Sequence, residues 1–440
     1  VNRRQFLGAA TAAGGLTALG CAPSTPPEET STHVTKELAG KPLAELRELY
    51  RYDLFDDYLP FEEEHVVDHE LGGFMCNTDR AGNNLSTTKN TWYEGRGIWV
   101  HSFLYNNFGK KEKDLEIARK SVELTLPLKP KPLTLWPGAM TREGKPTNER
   151  ASDIYCGLFV ANGLQQYAVA TGDEKYRAEA KAILLDHLAI YDDSKYDYPA
   201  SYGPPGVQPV EGPRVLGHWM VLLRMATQML ETAPDPEIEE IAKRSVDALL
   251  DHHQNPAFDL MNEVINHDLS RAEGGWEQFC YIGHAIETLW MVMFEAGRRK
   301  DKALYERAAA MFKRHVEVAW DDVYGGFFHG MLHVDDNVWT EGKVLWLQEE
   351  VLIGTLYMIE HTGDPWAVEW FNRTYAYVRE KWPLKQYGYP IWILSADRKV
   401  TFEEKATRVG NFHHPRHLAI NLLALDRIIE RGGEPTGLFG

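Results

Sequence analysis

The sequence predicts an all-α protein, an (α/α)6 barrel built from six helical hairpins. Three observations carry this. From about residue 40 onward, apolar residues recur at three-to-four spacing, while β-type alternation is rare. Twelve such stretches follow one another. A short Asp/Gly/aromatic motif recurs in the loops before aromatic-rich stretches, as expected of stacked supersecondary units.

The stretches are 42–58, 90–108, 112–126, 152–171, 174–192, 213–231, 235–251, 279–298, 301–318, 343–361, 364–381 and 413–430. Taken in order, Asp68-x-x-x-Gly72-Gly73-Phe74 precedes 90–108, which carries Trp92, Trp99 and Tyr105. Thr171-Gly172 ends 152–171, and Asp173 opens 174–192 as a cap. The stretch 213–231 carries His218 and Trp219. The next, 235–251, ends at His252 and His253, where cations suit the helix dipole. Gly274-Gly275-Trp276 is a looser motif copy before 279–298, which carries Trp290. Asp321-x-x-x-Gly325-Gly326-Phe327 precedes 343–361, which carries Trp346. Thr362-Gly363-Asp364 repeats the stop-and-cap signal. Asn411 can cap the last stretch, and Pro415 fits its first turn. Aromatic-rich helices alternate with plainer ones. In a closed ring the aromatic set faces inward around a pocket. An open solenoid would need polar capping repeats, and no clear ones are visible.

Residues 39–440 read as a single domain. Ahead of them, Asn2-Arg3-Arg4-Gln5-Phe6-Leu7-Gly8 resembles a twin-arginine export signal, followed by a short Ala/Gly/Leu stretch. Ala18-Leu19-Gly20-Cys21 resembles a lipoprotein processing box, which makes Cys21 a candidate membrane tether. The signal is placed at 1–21 and a flexible tether at 22–38, rich in Pro, Ser and Thr. The expected location is therefore outside the cytoplasm. Cys76, Cys156 and Cys280 allow at most one disulfide, with one thiol left over. The formal net charge of −17 argues against nucleic acid and anionic membrane surfaces as partners.

Histidine can both take and give a proton near neutral pH, and two histidine stations lie far apart in the chain. One is Gly283-His284-Ala285-Ile286-Glu287; helical spacing puts Glu287 one turn from His284. The other is Asn411-Phe412-His413-His414-Pro415-Arg416-His417. Three histidines this close invite a metal, but no second ligand set at metal spacing occurs, so none is expected. Arg96, among Trp92, Tyr93 and Trp99, needs either a carboxylate or a bound oxygen ligand if it is buried. Trp346 and Glu350 are four apart on one helical face. The tryptophans are either core or platforms for sugar rings. No phosphate-cradling glycine loop or nucleophile elbow is present. A carboxylate pair for glycoside hydrolysis remains available among 64 acidic residues.

Four motifs in order resemble the N-acylglucosamine 2-epimerase family, which includes cellobiose 2-epimerases and aldose–ketose isomerases. They are Trp92-x-x-x-Arg96-x-x-Trp99, Gly283-His284-x-x-Glu287-x-x-Trp290, Lys343-x-x-Trp346-x-Gln348-x-Glu350 and Phe412-His413-x-Pro415-Arg416. The resemblance spans roughly residues 40–430. It implies an (α/α)6 barrel and a cofactor-independent acid/base pair, His284 and His413, acting at C2 of an open-chain aldose or N-acylhexosamine. It also implies a small-molecule sugar substrate held by Arg96, with Glu287 supporting His284. Trp92, Trp346, Glu350 and His218 join the expected substrate-binding set. Leu216-Gly217-His218-Trp219-Met220 departs from the family's pattern, with Arg224 in the region of a usual Glu. The other readings are a carboxylate-pair hydrolase or lyase, and a non-catalytic carbohydrate-binding barrel.

Overall fold

A helix buried on every side must lie inside, and one with a single apolar stripe must lie outside. The computed structural model describes residues 34–79, 81–147, 151, 153–198, 202–383, 393–394 and 411–439. In chain order its helices are α1 (Leu43–Tyr52), α2 (Leu59–His65), α3 (Thr91–Asn107), α4 (Glu112–Thr125), α5 (Tyr155–Thr171), α6 (Glu174–Asp192), α7 (Leu216–Thr232), α8 (Pro236–Asp247), α9 (Ile282–Arg299), α10 (Lys302–Ala319), α11 (Leu345–Thr362), α12 (Pro365–Lys381) and α13 (His413–Glu430). A π-helical segment, Asp53–Tyr58, runs α1 into α2, and another, Ala248–His253, extends α8. The first predicted stretch is thus longer than expected, and the others fall within a few residues of their predicted bounds.

α5 is buried without a break from Tyr155 to Gln165, and α11 from Leu345 to Glu360. α8 buries only Ile238, Ile241, Ala242, Ser245 and Val246, one stripe at helical spacing. α3, α5, α7, α9, α11 and α13 accordingly form a closed inner ring, each touching the next and α13 returning to α3. α4, α6, α8, α10 and α12 each pack outside the inner helix that precedes them. The sixth pair is made by the two ends of the barrel, α1 lying on α13. Trp99, Trp219 and Trp290 are fully buried in the shared core.

Turns from inner to outer helices are short and lie at one end. Gly172 and Gly363 close α5 and α11 with φ of 69° and 66°, the left-handed region that glycine enters without strain. Asp173, Asp235, Asp301 and Asp364 then cap the next helix. Connections from outer to inner helices are long and lie at the other end. Two-residue antiparallel pairings stitch them: Lys89 opposite Met140, Arg214 opposite Ile265, and Lys343 opposite Leu394.

These three strand positions explain the sequence repeat. Lys89 Nζ donates to Asp68 at 3.0 Å and to the Gly72 carbonyl at 2.5 Å. Lys343 Nζ donates to Asp321 at 2.5 Å and to the Gly325 carbonyl at 2.6 Å. Arg214 makes the third copy, donating to Asp192 at 3.0 Å and to the Tyr191 carbonyl at 2.8 Å. Gly274-Gly275-Trp276 therefore does not belong to the repeat. That loop is held instead by the Asn262 side chain, which donates to the Glu277 and Phe279 carbonyls.

Cys76, Cys156 and Cys280 are all buried. Among the described residues no helix is long and apolar enough to cross a membrane. The export-type segment, Cys21 and the tether through residue 33 lie outside the described residues.

The repeat gives a graded test. Lys343→Met leaves Asp321 buried without its cation, an expected cost of about 3–5 kcal/mol. Lys89→Met costs less, because Arg142 still reaches Asp68 at 2.8 and 3.0 Å. Urea unfolding of both variants checks this order; equal losses would contradict it.

Candidate active site

The long connections all precede inner helices, so the six inner N-termini meet at one end. A cavity of about 350 Å³ opens there. Its walls come from the first turns of those helices: Trp92 and Arg96 of α3, Tyr155 and Phe159 of α5, Met220 and Val221 of α7, His284 and Glu287 of α9, Trp346 of α11, and His413 of α13. Tyr198, Tyr202 and Tyr281 of the connections complete the rim. Asn90 caps α3 by accepting the Trp92 N–H at 2.9 Å, and Asp153 accepts the Tyr155 N–H at the start of α5 at 2.8 Å. The inner-helix dipoles all point their positive ends toward this end of the barrel.

His284 and His413 line the same cavity, each beside the Trp346 indole. Ring centres lie 6.0 Å from Trp346 to His284 and 5.4 Å from Trp346 to His413. Trp346 reaches this place because residue 283 is Gly; a Cβ there would fall 2.5 Å from the indole. Gly217 does the same on the other side, where a Cβ would fall 2.2 Å from the Tyr155 hydroxyl and 2.9 Å from the His284 ring.

Each imidazole is anchored through Nδ1 by a buried glutamate. His284 Nδ1 lies 2.9 Å from Glu263 Oε1, which also accepts from the Tyr202 hydroxyl at 2.7 Å. His413 Nδ1 lies 2.9 Å from Glu350 Oε1. An Nδ1–H donating to carboxylate fixes the tautomer and leaves Nε2 for the cavity. The two rings differ in basicity. Burial lowers the His284 pKa, but the charge and hydrogen bond of Glu263 outweigh it and hold the pKa above the ordinary imidazole range. Burial pushes that of His413 well below that range; Arg416 and Arg96 add to this, and Glu287 opposes it.

Arg416 is the hub behind His413. Its Nη2 donates to Glu287 Oε1 at 2.7 Å, also bonds Glu350 Oε1, and lies 3.1 Å from His413 Nδ1. Glu350 further accepts from the Trp290 indole N–H at 2.7 Å. Glu287, Glu350 and His413 are close enough to hold a metal ion, but Arg416 already supplies their positive charge. Glu349, His414 and His417 form a second such group, behind the wall and outside the cavity lining.

Arg96 is caged by rings rather than carboxylates. Its guanidinium carbon lies 4.7 Å from the Trp92 ring centre, 4.2 Å from Phe159 and 4.8 Å from Phe412. No carboxylate pairs with it among the described residues, and burial lowers its pKa to about 10. The carboxylate expected as one partner for this residue is thus not found among the described residues, and Arg96 lines the cavity.

Three expectations need correction. Glu350 is fully buried behind His413 and positions that ring rather than meeting substrate. His218 is fully buried outside the cavity lining, ringed by Tyr155, Tyr191, Tyr196 and Tyr198. Glu287 lines the cavity, but the Nδ1 of His284 is held by Glu263. Sequence reading missed Glu263 and the tyrosines. Glu263 sits on no helix, so no helical spacing ties it to His284. Arg416 stood in plain view three residues from His413, one helical turn away.

A sequence model of the N-acylglucosamine 2-epimerase family matches residues 72–416. N-acylglucosamine 2-epimerase of Bos taurus is 26% identical over 394 residues, covering 86% of this chain and 90% of the bovine protein. Cellobiose 2-epimerase from Spirochaeta thermophila DSM 6192 superposes with a TM-score of 0.72 at 16% identity, covering 88% of this chain and 98% of the other. A D-mannose isomerase superposes with a TM-score of 0.70 at 14% identity, covering 88% and 99%. With that barrel, that cavity and a family match over most of its length, the chain belongs to the N-acylglucosamine 2-epimerase family of sugar epimerases and isomerases.

Proposed function

We propose that the cavity moves a proton at C2 of an open-chain aldose or N-acylhexosamine, with His413 as base and His284 as acid. The observation that carries this is the pair of anchored imidazoles lining one cavity, both against Trp346 and pushed apart in basicity. Groups whose environments separate their pKa values are suited to opposite roles in one proton transfer. His413, neutral, takes the proton next to the carbonyl. Negative charge then develops on the carbonyl oxygen as the enediolate of an aldose, or the enolate of an N-acylhexosamine, forms. Arg96 supplies the opposing charge, with the positive ends of the inner-helix dipoles behind it. His284, protonated, returns a proton. Delivery to the opposite face of C2 gives the epimer; for an aldose, delivery to C1 with the C2 hydroxyl proton passing to the C1 oxygen gives the ketose. Met220 and Val221 make the α7 wall apolar, which suits an acyl methyl group. A hydrolase reading has less support: Glu287 is the one carboxylate among the described lining residues, and it is tied to Arg416.

The test is C2 deuteration in D2O, followed by NMR, with N-acetylglucosamine, N-acetylmannosamine, mannose, glucose and cellobiose. His284→Ala and His413→Ala should each lower exchange about 10²-fold or more. Exchange that persists in both variants would end the assignment.

The pH profile should be bell-shaped. The active form carries one proton on the pair. Activity falls on the alkaline side as His284 loses its proton, at a pH above the ordinary imidazole range. It falls on the acid side as His413 gains one, well below that range. A plateau spanning neutrality is expected in kcat/KM, and a sharp optimum with both limbs near pH 6.5 would contradict it.

Arg96→Met separates function from stability. Losing the oxygen-holding cation should cut kcat/KM about 10²-fold or more. The melting temperature should hold or rise, since no buried carboxylate is orphaned. A fall in Tm with full activity is the contrary result.

A further inference from the structure

We propose that Glu263 is a positioning residue that sets the charge on His284 and thereby decides which histidine holds the shared proton. This rests on the His284/His413 assignment above. Seen locally, the two histidines look alike: each Nδ1 meets a fully buried glutamate at 2.9 Å. What differs is what else the glutamate touches. Glu350 Oε1 is shared with the Arg416 guanidinium, and its other oxygen takes the Trp290 N–H. Its charge is spent on a permanent cation before His413 can use it. Glu263 has no Arg or Lys partner among the described residues. Oε1 takes His284 and the neutral Tyr202 hydroxyl, and Oε2 is buried with no hydrogen-bond partner among those residues. Away from water and from a competing cation, the full carboxylate charge acts on one imidazole.

Glu263 is also rigidly placed. Its carbonyl accepts the Leu216 N–H at 2.8 Å at the start of α7. Its own N–H donates to the Phe279 carbonyl ahead of α9. The neighbouring Val264 and Ile265 pair with Val215 and Arg214. The carboxylate therefore sits at the corner where two inner helices begin. The other charged groups facing His284 are Glu287 on its own helix and Arg96 from α3, and they oppose one another. The neutral titratable neighbours are Tyr202, Tyr281, His218 and His329. None of these makes the Nδ1 contact.

The experiment uses the full-length protein and two variants, Glu263→Gln and Glu263→Asp. The readouts are the pH profile of C2 exchange and the NMR titration of the His284 ring. Glu263→Gln keeps the shape and removes the charge. Its alkaline limb should move down by about one pH unit or more, with kcat at pH 8 lowered about tenfold or more and KM little changed. Glu263→Asp should restore the alkaline limb while kcat stays reduced, because charge returns at a longer reach. A folded Glu263→Gln variant whose limb does not move, however slow it is, overturns the proposal. Should Glu263→Gln fail to fold, His284 in the native enzyme still decides: titration at or below the ordinary imidazole value overturns it. Loss of the acid/base assignment itself would show separately, as unimpaired exchange in His284→Ala while His284 of the native enzyme titrates high.

Discussion

One guanidinium holds the active end of this barrel together. Arg416 stands in the first turn of α13 and bonds Glu287 of α9 and Glu350 of α11. Three of the six inner helices, among them the one that closes the ring on α3, are thus joined at the level of the cavity. A charged hydrogen bond out of water is strong, and breaking one side strands a buried charge. The same bonds place the chemistry. Glu350, fixed by Arg416 and Trp290, fixes His413 in turn. Through Glu350 the His413 ring and Arg416 are tied together, so the scaffold's closure and the aim of His413 are one constraint.

Much of this was legible in the sequence because the barrel repeats two local rules. An outer helix carries one apolar stripe and begins at an Asp cap after a short turn. An inner helix is apolar all round and follows a long connection. Stretches such as Thr171-Gly172-Asp173 state those rules in adjacent residues, which is why twelve helices could be placed. The Asp68 and Asp321 motifs were readable as repeats, but their purpose was not, because the partners Lys89 and Lys343 lie some twenty residues on. Arg214 and Asp192 do the same work without the Gly-Gly-Phe signature, so similarity of letters pointed to Gly274 instead.

The site was legible where partners share a helix and opaque where they do not. Spacing marked Glu287 as a neighbour of His284, which it is, and made it the ring's anchor, which it is not. A carboxylate one turn away on the same helix competes with every other donor in reach. For Glu287 that donor is Arg416, a permanent cation. His284 then takes Glu263, from a segment with no periodicity to read. Trp346 and Glu350 likewise share a face in sequence, yet the first enters the cavity and the second turns behind it.

Two buried arginines sum up what a static scaffold leaves for its substrate. Arg416 bonds two buried glutamates and is part of the frame. Arg96, from α3 and in the same end of the barrel, has three aromatic rings and no carboxylate among the described residues. Cation–π contacts of about 0.5–2 kcal/mol each offset part of the cost of burying that charge, but they supply no hydrogen-bond acceptor. A cation held in this way gains most from a species that brings its own negative oxygen. A ground-state sugar carbonyl brings little charge, and an enediolate brings a full one. In the proposed reaction the attraction is therefore weak for the bound substrate and strong for the state that follows proton removal. That difference, rather than tight binding, is what lowers a barrier.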